Sequence, residues 1–71
     1  MRISLDSKAD ALYIRLRKGK FSKNRRLDAD TILDLDAQGR ILGIEMLNAS
    51  KRIPARELEG VEVQPPLKAK T

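Results

Sequence analysis

The residues whose types and spacing most clearly suggest a chemical function lie in the stretch DLDAQGRILGIE, residues 34–45. Its first, third and twelfth positions are acidic (Asp34, Asp36 and Glu45), and Gly39 occupies the sixth. This is the ligand spacing of an EF-hand calcium loop, in which carboxylate oxygens surround the ion and glycine permits a sharp turn. The spacing therefore raises calcium binding as a hypothesis that the flanking sequence must support.

The flanking sequence favours a hairpin over a calcium loop. An EF-hand needs an amphipathic helix on each side, but residues 25–33 end in β-branched residues, and residues 46–54 end in Pro54. Gln38 replaces the usual Asp or Asn at the fifth position. Hairpins commonly place Asp before a turn and Gly within it. We therefore interpret the stretch as a corner between two strands, and expect neither a bound metal nor a cofactor.

The turn of this hairpin leaves two registers open. Asp36 followed three residues later by Gly39 fits a type I turn with a glycine bulge, which would pair Asp36 with Arg40. The apolar pattern favours a two-residue turn, which places four aliphatic side chains together: Leu33, Leu35, Leu42 and Ile44. A shift of one residue moves every side chain to the other face, so the two registers predict different surfaces.

The charged residues are segregated along the chain, whose formal net charge is +5. Residues 15–26 contain seven cations and no acid, and residues 28–36 contain four aspartates and no base. Asp34 and Asp36, two apart in a strand, would share a face suited to a cation or a partner's arginine. The candidate partner-binding residues are Arg15, Arg17, Lys20, Lys23, Arg25, Arg26, Asp34 and Asp36.

The elements that must position these residues are mostly strands. Residues 2–5 and 11–17 alternate apolar and polar side chains, as half-buried antiparallel strands do. The polar, basic sequence of residues 18–26 indicates a loop or a basic edge strand. An edge strand fits because Lys and Arg on an edge discourage further pairing. Residues 31–47 form the hairpin, and residues 61–63 predict a short edge strand.

The C-terminal part predicts one short helix. Pro54 fits its first position and Gly60 follows its end, which leaves about two turns that must pack on the sheet. The predicted fold class is α+β: a small antiparallel β-meander of four to five strands with one short C-terminal helix. We expect a single β-rich domain over residues 1–64 and a disordered basic tail over residues 65–71.

Composition narrows the function classes. The chain has no Cys and no His, so disulfides and the usual zinc ligands are excluded, and Ser50 lacks the usual base for a nucleophile. We therefore expect no enzyme. A chain of 71 residues buries only about 60% of its unfolded surface, which favours a homodimer or a partner protein. No apolar run reaches the roughly 18 residues of a membrane span, and the lack of Cys fits the cytoplasm.

Three stretches resemble one prokaryotic family: ADALYIRL (9–16), ILDLDAQGRILGIEML (32–47) and ASKRI (49–53). In order and spacing they are similar to domain of unknown function 2283, over roughly the first fifty-five residues. That family commonly starts its first turn with Tyr-Asp-Pro, whereas this chain keeps Asp6 and lacks the Tyr and the Pro. The resemblance implies a compact β-rich fold with a short C-terminal helix, and no established activity.

Two function classes fit these observations. The first is a small protein-interaction module, of an antitoxin-like or accessory kind, that binds a partner protein. The alternative is a nucleic-acid-binding protein, in which residues 15–26 meet phosphates and Tyr13 or Phe21 stacks on bases.

Overall fold

The computed structural model describes residues 1–64. It contains five strands: β1 (Arg2–Asp6), β2 (Ala11–Arg15), β3 (Lys23–Asp28), β4 (Thr31–Leu35) and β5 (Ile41–Leu47). The strands are followed by the helical turn α1 (Ala49–Arg52) and a 3-10 helix (Ala55–Leu58). The fold is therefore a five-stranded antiparallel sheet with short helical pieces, and the tail predicted over residues 65–71 lies outside the described residues.

The strand order differs from a single meander. All pairs are antiparallel and the order is β1-β2-β5-β4-β3, so β3, β4 and β5 form a meander while β2 and β3 are not neighbours. Residues 16–22 connect them across the ends of β5 and β4. The N–H groups of Leu16 and Arg17 donate to the Leu42 carbonyl, and the Ser22 N–H donates to the Leu35 carbonyl at 2.8 Å. This crossing brings the basic segment beside the β4–β5 turn.

The β4–β5 turn combines both predicted registers. At the turn, the Asp36 N–H donates to the Arg40 carbonyl and the Gly39 N–H donates to the Asp36 carbonyl, each at 3.0 Å. Gly39 has a φ of +83°, as the glycine-bulge turn requires. Leu42 then forms a second bulge without an opposite residue on β4. Beyond it the register is the one that the apolar pattern favoured, and its pairs include Leu33 with Ile44 and Asp34 with Gly43.

One face of the sheet, the apolar face, carries aliphatic rows that cross the strands. One row is Ile3, Ile14, Ile44 and Leu33, and its last member pairs with Arg25 on β3. The helical pieces cover one end of this face, where the Arg52 guanidinium donates to the Thr31 hydroxyl at 2.7 Å. The crossing segment covers the other end, since a Cβ on Gly19 would lie 2.6 Å from a Leu42 methyl carbon. The core therefore sits beneath these two covers, at Leu12, Leu35, Leu42 and Ala49.

The predicted C-terminal helix is replaced by two shorter pieces. The Asp10 carbonyl accepts a hydrogen bond from the Ala49 N–H, and the Asp10 carboxylate accepts one from the Ser50 N–H, each at 2.9 Å. These bonds start α1 directly after β5. Ile53 is extended (φ −129°, ψ 120°), because a residue before proline disfavours the helical region. Pro54 therefore precedes a 3-10 helix instead of starting an α-helix.

The strand predicted over residues 61–63 is not formed. Residues 61–64 have no regular secondary structure, and Val61 and Val63 are exposed. Two valines in three residues bury too little apolar surface to hold a sixth strand. Across residues 1–64, the helical segments are all too short to cross a membrane.

Candidate partner-binding site

Most of the predicted cations lie along one border of the sheet. The crossing segment supplies two of them, Arg17 and Lys20, and the edge strand β3 supplies three. Lys18 of the crossing segment, which was not among the predicted residues, joins these five, and all six are exposed. We call this surface the basic border: Arg17, Lys18, Lys20, Lys23, Arg25 and Arg26. Arg15 lies apart from it, half-buried in β2 and opposite Gly43 of β5. The structure thus gathers most of the predicted cations and separates Arg15 from them.

The pairing of β3 with β4 fixes where its cations project. Lys23 and Arg25 lie opposite Leu35 and Leu33, so they extend the apolar face with positive charge. Arg26 is on the opposite face, and its guanidinium donates to the Ala29 carbonyl at 2.7 Å. Lys23 and Arg25 therefore stand beside aliphatic side chains, while Arg26 also supports the β3–β4 turn.

The β3–β4 turn also carries a perturbed carboxyl group. The Asp30 backbone N–H donates to Asp28 at 2.9 Å, and this bond is the main reason that the pKa of Asp28 lies below its ordinary value. The Thr31 side chain and the charge of Arg52 lower the pKa further. Asp28 is thus held ionised by its own turn and does not pair with the neighbouring cations of β3.

The basic border has no carboxylate partner within residues 1–64. The one ion pair of this part of the chain joins Arg40 to Asp36 at 2.7 Å, at the β4–β5 turn. Uncompensated cations on an exposed edge strand produce a positive potential that attracts acidic surfaces or phosphates. The border is therefore a surface of uncompensated positive charge within the described residues.

Asp36, one of the predicted partner-binding residues, is instead committed to its own turn. Its side chain is buried. The carboxylate accepts hydrogen bonds from the backbone N–H groups of Gln38 and Arg40 and from the Arg40 guanidinium, at 2.7 to 2.9 Å. Burial raises the pKa of this carboxyl, but these donors more than offset it, so the pKa of Asp36 is below its ordinary value. Asp36 has a structural role in the described chain.

Asp34 is engaged by a residue that is distant in sequence. The Tyr13 hydroxyl donates to its carboxylate at 3.0 Å, across Gly43 of the intervening strand. A Cβ at residue 43 would lie 2.1 Å from the Tyr13 hydroxyl oxygen, so the ring needs glycine beneath it. Burial, followed by the hydrogen bond and negative charge of Asp34, raises the pKa of Tyr13. Asp34 and Asp36 therefore take different partners and do not form a joint site.

The structure adds a cleft that sequence reasoning did not identify. Residues 18–22 and the turn residues 36–38 and Arg40 enclose about 390 Å³ beside the basic border. Phe21 is 54% exposed at this cleft, with Lys18 and Lys20 on either side of Gly19. The signal was the Phe within a run of cations, but its position beside the turn depends on the β2–β3 crossing. Together these groups can receive a negatively charged ligand with a flat or apolar part.

The calcium-loop spacing of residues 34–45 does not produce a metal site in the described chain. Asp34 and Glu45 lie in different strands and Asp36 is bound by Arg40. Within residues 1–64 no group of three acidic side chains converges so as to hold a metal ion. Ser50 is equally committed: its hydroxyl donates to Asp10 at 2.7 Å and anchors α1.

Comparison with known proteins identifies the family. The model of the family described as "Protein of unknown function (DUF2283)" matches residues 2–50, from β1 to the start of α1. No curated protein and no solved structure matches the chain. The chain belongs to the DUF2283 family.

Proposed function

We propose that this DUF2283 protein is a small protein-interaction module whose basic border binds an acidic surface of a partner protein. The observation that carries the proposal is the set of six exposed cations without an acidic partner within residues 1–64. Charge complementarity accelerates encounter and rejects partners of the wrong sign. An antitoxin-like or accessory role in the cytoplasm, without catalysis, is the biological class that we propose for it.

The edge strand β3 supports this proposal because it can bind a partner in two ways at once. Its outer N–H and C=O groups have no neighbouring strand within the described sheet. An extended acidic segment could add there as a sixth strand, with backbone hydrogen bonds supplying affinity. Lys23, Arg25 and Arg26 would select acidic side chains and disfavour basic segments.

A second candidate, binding of single-stranded nucleic acid, is favoured by one specific observation. Phe21 is exposed beside Lys18 and Lys20, which is the combination of a stacking ring and phosphate-binding cations that such proteins use. The other aromatic residue, Tyr13, bonds to Asp34 over Gly43. This leaves Phe21 as the aromatic side chain positioned to stack on a base.

Fluorescence anisotropy distinguishes the two candidates. A labelled Glu-rich peptide and a labelled single-stranded oligonucleotide of equal charge would be titrated with the protein over a series of salt concentrations. The proposed function predicts tighter peptide binding, weakened by Lys23→Glu with Arg25→Glu and unchanged by Phe21→Ala. Tighter oligonucleotide binding that Phe21→Ala weakens would support nucleic acid instead, because loss of the ring removes stacking.

A further inference from the structure

The edge strand opposite the basic border, β1, has unsatisfied pairing capacity. β1 is the outermost strand on its side, and all five of its residues are exposed. It contains neither Lys nor Pro, which natural edge strands commonly use to prevent pairing with another chain. Its outward N–H and C=O groups therefore present a template for one more strand.

The sequence of β1 is complementary to itself in the antiparallel direction. It reads Arg2-Ile3-Ser4-Leu5-Asp6. If a second copy pairs with it about a two-fold axis at Ser4, Arg2 faces Asp6 of the partner subunit, and Asp6 faces the partner's Arg2. Opposite charges directly across an antiparallel pair are stabilising, and the two-fold axis repeats each contact.

The same register joins two exposed aliphatic side chains on the apolar face. Ile3 is 38% exposed and Leu5 is 56% exposed, and both alternate to the face that carries the row of Ile14, Ile44 and Leu33. Pairing about Ser4 places Ile3 opposite the partner's Leu5. Because a two-fold axis normal to the sheet keeps both apolar faces on the same side, the aliphatic surface becomes continuous across the junction.

The charges available on β1 also suit this contact. Asp6 uses one carboxylate oxygen, Oδ1, to accept the N–H groups of Lys8 and Ala9, and its Oδ2 has no such bond among the described residues. Arg2 forms neither a side-chain hydrogen bond nor an ion pair within residues 1–64. The opposite edge, β3, does not allow the same contact, because its three cations would approach those of a second copy.

We infer that two copies of this chain associate through β1, with antiparallel pairing about Ser4, to form one continuous sheet from the two five-stranded sheets. The basic borders then lie at the two outer edges of the dimer and remain accessible. The contact is confined to one short strand from each copy, so the dimer is of the weak, reversible class. This inference is independent of what the basic border binds.

Sedimentation velocity from micromolar to millimolar protein tests the inference with matched variants. Arg2→Glu replaces both attractive charge pairs with like charges, so the dissociation constant of the dimer should rise about tenfold. Arg2→Lys should preserve association. Arg25→Glu, which changes the net charge equally but lies on β3, should leave the dissociation constant unchanged.

Isotope-filtered NMR on a mixture of labelled and unlabelled wild-type protein locates the contact directly. Cross-peaks between Ile3 of one copy and Leu5 of the other are expected at millimolar concentration. A wild type that stays monomeric at that concentration would overturn the inference. So would a dimer that Arg2→Glu and Arg25→Glu weaken equally, or one whose intermolecular cross-peaks arise outside β1.

Discussion

The Tyr13 hydroxyl lies 3.0 Å from the Asp34 carboxylate, although the two residues belong to strands that are separated by β5. The bond is made over Gly43, whose missing side chain leaves room for the ring. It fixes one of the predicted partner-binding carboxylates and one of the two aromatic side chains. Both are therefore part of the sheet's own structure.

Gly43→Ala should destabilise the fold by about 1–3 kcal/mol, because the new methyl group overlaps the Tyr13 ring and displaces its hydroxyl from Asp34. Urea unfolding followed by circular dichroism measures this change. Gly60→Ala is the matched control, since nothing lies within 4 Å of a Cβ there. A free energy of unfolding that is equal in the two variants would contradict the packing of Tyr13 over Gly43.

The ionisation of Tyr13 can be observed alone, because it is the single tyrosine and the chain has no Trp. Its pKa in the folded state is raised by burial and by Asp34, so the tyrosinate absorbance should appear at higher pH in native protein than in urea. Because the pKa of Tyr13 is higher in the folded state, its environment contributes to the free energy of unfolding at pH values below the unfolded-state pKa. This contribution is lost as the pH rises through the folded-state pKa. Asp34→Asn should move the native midpoint downward. A midpoint that is the same in native and unfolded protein would contradict the contact.

The ionisation of Asp36 should make the free energy of unfolding depend on pH in the acidic range. Its folded pKa is below the ordinary value, so its contribution is present above the unfolded pKa and is lost as pH falls through the folded one. Asp36→Asn should be less stable than wild type at neutral pH and should lose less stability on acidification. Urea unfolding over an acidic pH series measures both effects. Parallel pH profiles for the two proteins would show that Asp36 is not the group responsible.

Some local features of this protein were predictable from sequence, but the α-helix predicted to start at Pro54 and the strand predicted over residues 61–63 are not formed. The long-range features were not predictable. The spacing of Asp36 and Gly39 fits the bulged turn, which was one of the two registers that the sequence left open. The alternation of residues 11–17 predicts β2. The second bulge at Leu42 could not be predicted from the sequence. It shifts the register by one residue between the turn and the rest of the β4–β5 pair, whose register is set by the neighbouring strands. The β2–β3 crossing and the Asp10–Ser50 contact also depend on which strands become neighbours, and one strand's pattern does not specify this.

Calcium should leave the protein unchanged, despite the ligand-like spacing of residues 34–45. Binding would require the Asp36 carboxylate to leave its three donors, which are the Gln38 N–H, the Arg40 N–H and the Arg40 guanidinium, and would separate Asp34 from Tyr13. Millimolar Ca²⁺ should therefore shift neither the melting temperature nor the amide spectrum. Saturable shifts centred on Asp34, Asp36 and Glu45 would contradict the hairpin interpretation.

Co-purification from the cells that make this protein is the most direct measurement of the proposed function. Wild type would be compared with Lys23→Glu/Arg25→Glu on the basic border, and with Lys8→Glu/Lys51→Glu, which makes the same charge change at exposed residues elsewhere. Each sample would be divided into nuclease-treated and untreated halves. We predict a specific protein partner that resists nuclease, remains with the Lys8/Lys51 variant and is lost from the Lys23/Arg25 variant. Equal retention by both variants, or loss of the partner on nuclease treatment, would contradict the account.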